Sequence, residues 1–96
     1  MHDQRRLNAS LQAALAVELR DLRLLIEEIA DVLVGDEILA LTYIEQFQAF
    51  DLIIQRAEES ARLLDSIAGG TCPRDAVEQV RLSAVQNRLR AALRAA

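Results

Sequence analysis

The chain has 96 residues, enough for one domain, of which 52% are apolar and 27% charged, with a net charge of −4. That apolar content excludes disorder over most of the length. A single cysteine, Cys72, and a single histidine, His2, exclude an internal disulfide, a cysteine zinc site and nearly all histidine- or cysteine-based catalysis.

Three glycines and one proline argue against an all-β chain with its many turns, and the residues read instead as an all-α fold. The first predicted helix covers residues 4–34. Along it Leu15, Leu19, Leu22, Ile26, Ile29 and Leu33 recur at alternating spacings of four and three, the pattern of a bundle seam. Gly35 suits the position just past its end, where a residue without Cβ takes positive φ freely, and Asp36 suits the cap of the next helix. The second predicted helix, 37–68, carries an unbroken seam of Ala40, Tyr43, Phe47, Phe50, Ile54, Ala57, Ala61, Leu64 and Ala68. The short joint at 35–36 makes the two helices a long antiparallel hairpin. After Gly69 and Gly70, Pro73 opens a third, C-terminal helix over 73–95, where its missing N–H is not needed.

Ala49, Leu52, Ile53, Leu63 and Ile67 lie on the far side of the second helix from its seam. They require a second partner surface, from the third helix, another copy of the chain, or both. A homodimeric four-helix bundle with the third helices packed on it satisfies that requirement. What remains exposed is a polar stripe of Gln48, Asp51, Gln55, Glu58, Arg62 and Asp65.

Charge is unevenly spread. Residues 35–70 carry two arginines against seven acids, whereas residues 71–96 carry five arginines against two. An acidic chain without a long basic stripe is a poor ligand for nucleic acid, which requires clustered positive charge. The longest uncharged run, Leu7 to Val17, contains Asn8, Ser10 and Gln12, so neither a membrane span nor a secretory signal is expected. A cytoplasmic location follows as the expectation, in keeping with the lone cysteine. The acids Glu18, Asp21, Glu27, Glu28 and Asp31 are accompanied by no Glu-x-x-His motif, so no metal site is expected.

Asp51 and Gln55 stand one helical turn apart on the polar stripe. Read functionally, this is a phosphatase pair, in which a carboxylate grips a basic group of a partner and an amide orients water in the partner's active site. Read blandly, it is a solvated face. With seven Asp and seven Gln, roughly half a D-x-x-x-Q pair is expected by chance, and a second one exists at Asp75 and Gln79. Spacing alone does not choose between the two readings.

The stretch Glu45-Gln46-Phe47-Gln48-Ala49-Phe50-Asp51-Leu52-Ile53-Ile54-Gln55-Arg56 resembles the catalytic segment of the CheZ family of chemotaxis phosphatases, with the hairpin plan extending the likeness over about residues 1–68. Phe50, Ile53 and Ile54 depart from the family's pattern, which often has Gln before the Asp and small polar residues between Asp and Gln. The resemblance implies a catalytic role for Gln55, which would position water against the aspartyl phosphate of a CheY-type receiver domain. Asp51 would pair with the receiver's lysine. Gln48, Arg56, Glu58 and Arg62 are the accompanying candidates for partner binding. No cofactor of the chain's own is implied, since the receiver carries its Mg²⁺. The rival reading is a non-catalytic helical dimerisation or adaptor module.

Overall fold

The structure, a computed structural model, describes residues 2–96, with His2 described by its main chain alone; the expectation concerning the His2 side chain lies outside the described residues. Five helices follow in order: α1 (His2–Val34), α2 (Glu37–Thr42), α3 (Ile44–Ala68), α4 (Pro73–Glu78) and α5 (Ser83–Ala95). No strand occurs among the described residues, and the chain is all-α. None of the described helices is long and apolar enough to cross a membrane. The molecule is drawn out, 57 × 26 × 17 Å, with a radius of gyration of 16.5 Å. A compact chain of this length would have about 12.5 Å.

The helix ends show why the chain breaks where it does. The Asp36 carboxylate accepts from the amides of Ile38 (2.9 Å) and Leu39 (3.1 Å), as expected of an N-cap. Gly35 does not take positive φ, contrary to expectation; only Gly70 does, at φ +105°. At 69–71 the Gly70 amide donates to the Ile67 carbonyl and the Thr71 amide to the Ser66 carbonyl, at 3.0 and 2.9 Å. This is a Schellman closure, and it places the positive-φ requirement on Gly70. Pro73 occupies the first turn of α4 as expected.

Two of the predicted helices are split. The segment 37–68 is interrupted at Tyr43, with φ −115° and ψ 32°. Just before it, the Thr42 hydroxyl donates to the Ile38 carbonyl at 2.7 Å, a side-chain bond to the preceding turn that bends helices. The segment 73–95 is interrupted over residues 79–82. There the Arg81 amide, which in a continuous helix would serve the Val77 carbonyl, donates to the Glu59 carboxylate of α3. The Gln86 side-chain amide takes over the carbonyls of Val77 and Glu78, both at 3.2 Å. The Arg81 amide and the carbonyls of Val77 and Glu78 thus keep partners across the break.

The seam expected on the second helix holds along α3, where Phe47, Phe50, Ile54, Ala57, Leu64 and Ala68 are half-buried and Ala61 is fully buried. The seam expected on the first helix holds only at the half-buried Leu19 and Ile26. Leu15, Leu22, Ile29 and Leu33 are exposed, and α1 instead meets α3 through Ala16, with 0% exposure, and the half-buried Arg20, Arg23, Ile26 and Ala30. The helix is rotated by roughly a quarter-turn from the expected seam, judged at 100° per residue. Small residues at the contact and ion pairs along it explain the rotation. Arg20 Nη1 lies 2.6 Å from Asp65 and Arg23 Nη1 lies 3.0 Å from Glu58, while Arg20 Nε lies 3.5 Å from Glu58. Its hydrogen bond to Asp65 pushes the Arg20 guanidinium further up from its ordinary value; burial opposes this and Glu58 adds to it.

The rest of the core lies where α3 meets α4 and α5: Ala76, Val77, Val80 and Val85 are buried. Leu63 shares a crevice with Ala76 and Val80, so the third-helix segment covers this end of the far face of α3. Ala49, Leu52 and Ile53 at the other end stay exposed.

Candidate functional site

Helix α3 sets the spacing of the candidate pair. Asp51 and Gln55 are separated by one turn, rise along the same side of the helix, and are both exposed. Neither carries an ion-pair or hydrogen-bonded partner among the described residues. Beneath and between them is Ile54, half-buried, whose side chain lines two adjoining grooves.

The grooves differ in charge. Asp51 lines one with Glu27, Ala30, Asp31, Val34, Phe47 and Phe50. That groove holds three carboxylates and no basic group, so its potential favours an incoming ammonium. Gln55 lines the other, of about 370 Å³, with Arg23, Glu58, Glu59, Arg62, Arg81 and Leu82. The groove thus holds three guanidinium groups and two carboxylates, with Arg23 bonded to Glu58 and Arg62 to Glu59. The turn between α4 and α5 supplies Arg81, held over the groove because its main-chain amide is bonded to Glu59.

The accompanying candidates divide. Gln48 and Arg56 are exposed. Glu58 is half-buried and bonded to Arg23, and Arg62 is half-buried and paired with Glu59 at 3.1 Å. Asp65 is engaged by Arg20. The long exposed stripe expected over residues 48–65 is therefore free only over its first half; the second half is drawn into the contacts with α1 and α4. Arg23 is not singled out by the sequence, and Arg81 only as one of the five arginines of residues 71–96 that could complement the acidic middle of the chain. For Arg23 the available signal is the i, i+4 pairing with Glu27, 3.6 Å apart here, and for Arg81 it is the spacing of five between Val80 and Val85, which breaks the three-four period.

Among the described residues Glu59 is the charged side chain that is buried, 7% exposed. Its carboxylate accepts from the Arg81 amide and from Arg62. Its role is structural: it ties the α4–α5 turn to α3 beside Gln55. The Cys72 thiol is exposed and unpaired, at the start of α4. Among the described residues no group of three or more His, Cys, Asp or Glu side chains is arranged to hold a metal ion.

Comparison of the chain with protein-family models, with curated proteins and with solved structures finds no match.

Proposed function

We propose that the chain is a CheZ-like phosphatase, acting in the cytoplasm on the aspartyl phosphate of a CheY-type receiver domain. In this reading α1 and α3 form the antiparallel hairpin of a homodimeric bundle. The observation that carries it is the pairing on α3 of an exposed, unpartnered carboxylate and an exposed, unpartnered amide one turn apart.

The chemistry asks little of such a helix. Water attacks phosphorus, the bond between phosphorus and the receiver's carboxylate oxygen breaks, and inorganic phosphate and the free carboxylate result. The receiver's own Mg²⁺ and lysine stabilise the charge on the transferring group. What the chain adds is an amide whose oxygen accepts a hydrogen bond from the water and holds the water oxygen in line with the breaking bond. This removes orientational freedom from the barrier. Gln55 does this without changing its charge. Asp51 grips the receiver's lysine, and Glu27 and Asp31 in the same groove reinforce the attraction. Arg81, without an ion-pair partner among the described residues, draws in the anionic face of the receiver; Gln48 and Arg56 border the contact.

The test is the lifetime of receivers from the same genome, phosphorylated with acetyl phosphate, in the presence of the chain. Accelerated loss of phosphate that disappears with Gln55→Ala supports the reading. No acceleration on any of them removes it, and leaves the non-catalytic dimerisation or adaptor module. One observation favours that second reading: the exposed leucines of α1 form a larger surface than the polar pair.

A further inference from the structure

We infer that a second copy of this chain seats on the leucine stripe of α1, with the two α1 helices antiparallel and a two-fold axis crossing near residue 20. This inference rests on the proposed reading for the homodimer alone, to which it gives a face and a direction, and not on the phosphatase chemistry. Leu11, Leu15, Leu22, Leu25 and Ile29 share one side of α1, the side turned away from Ala16 and α3. Each is between 45% and 62% exposed. They follow a heptad pattern in which position 18 is the one polar place, and they span about 27 Å at 1.5 Å per residue. Monomeric proteins rarely leave so long a continuous apolar patch in water.

The area fits a second copy. The chain exposes 7166 Å². A compact monomer of 10.7 kDa exposes about 5,500 Å². Part of the excess reflects the drawn-out shape. Even half of it matches the roughly 800 Å² that each partner gives to a stable interface. No described side chain larger than alanine is fully buried within the single chain, so its own core leaves the stripe uncovered.

The stripe is also self-complementary in one direction. In an antiparallel pair centred on residue 20, Leu11 meets Ile29, Leu15 meets Leu25, and Glu18 meets Leu22. A two-fold interface requires this reciprocity. A parallel pair would set Glu18 directly against Glu18 in an apolar seam, where like charges repel.

Light scattering on the eluting chain at about 100 μM tests the association; twice the chain mass is expected, and a monomer overturns the inference. Leu22→Glu with Leu25→Glu is expected to give a monomer whose helical circular dichroism is retained; a folded double variant that remains a dimer overturns it. If that variant does not fold, Glu18→Leu decides, because it is expected to tighten the dimer about tenfold or more, and unchanged affinity refutes the placement of Glu18 in the seam. Orientation is read by disulfide cross-linking in a Cys72→Ser background. A mixture of Leu11→Cys and Ile29→Cys chains is expected to cross-link between the two kinds. Cross-links dominated by Leu11→Cys chains with one another overturn the antiparallel arrangement.

Discussion

Replacing Glu59 by alanine removes the tie between α3 and the α4–α5 turn, and its cost can be worked from the contacts. The carboxylate is 7% exposed and accepts from two donors, the Arg81 amide and the Arg62 guanidinium. A hydrogen bond to a charged group contributes about 1.5–3 kcal/mol, and a buried donor left without a partner costs about 1–3 kcal/mol. The two figures overlap, because the stranded Arg81 amide can reach water once the side chain is gone. A net loss of about 2–4 kcal/mol is expected for Glu59→Ala. Glu59→Gln keeps an acceptor for the Arg81 amide and loses the charge opposite Arg62, so about 1 kcal/mol is expected. For a domain whose whole stability is about 5–15 kcal/mol these effects are large. Urea unfolding followed by circular dichroism measures both, since the chain has no tryptophan to report by fluorescence. The reasoning is refuted if Glu59→Ala lies within about 0.5 kcal/mol of wild type, or if Gln is as damaging as Ala.

Two further outcomes follow from the helix ends. Asp36→Ala strands the amides of Ile38 and Leu39 at the start of α2 and is expected to cost about 1 kcal/mol in the same urea experiment, with Asp36→Asn nearly neutral. The Glu78 carboxyl is held below its ordinary 4.5 by its hydrogen bond to Arg90, which is itself held above its usual value. Its contribution is therefore complete above about pH 4.5 and fades as the pH falls through the lower, folded value. Acid titration of the α4–α5 contact by NMR should show this loss, and Glu78→Gln should remove it; a contact that weakens equally in both proteins contradicts the assignment.

The sequence and the structure part company in instructive places. The terminators were legible because they are local chemistry: an aspartate that caps, a proline at a first turn, a pair of glycines. The α3 seam was legible because one period runs through it without interruption. The rotation of α1 was not, since its leucines also follow a perfect period. That period straddles two faces, the exposed stripe at Leu15, Leu22 and Ile29 and the α3 contact at Ile26, whereas the contact with α3 is centred by Ala16 and by arginines that find carboxylates more than thirty residues away. Positive φ fell on Gly70 and not Gly35 because only the former closes a Schellman turn. The break at 79–82 depends on Glu59, a residue type that reads as exposed until its partner amide is known. In the candidate site the exposed pair and its spacing were readable from sequence, while the division into an acidic and an arginine-lined groove depends on residues brought from α1 and the α4–α5 turn.

The most direct measurement of the central proposal is the single-turnover rate of receiver dephosphorylation at saturating chain, for wild type, Asp51→Ala and Gln55→Ala. An oriented water alone is expected to be worth about a hundredfold or more, so Gln55→Ala should lower the saturated rate by that factor while half-saturation stays within a few fold. Asp51→Ala should in addition weaken the half-saturation. A Gln55→Ala chain that retains the wild-type saturated rate contradicts the account.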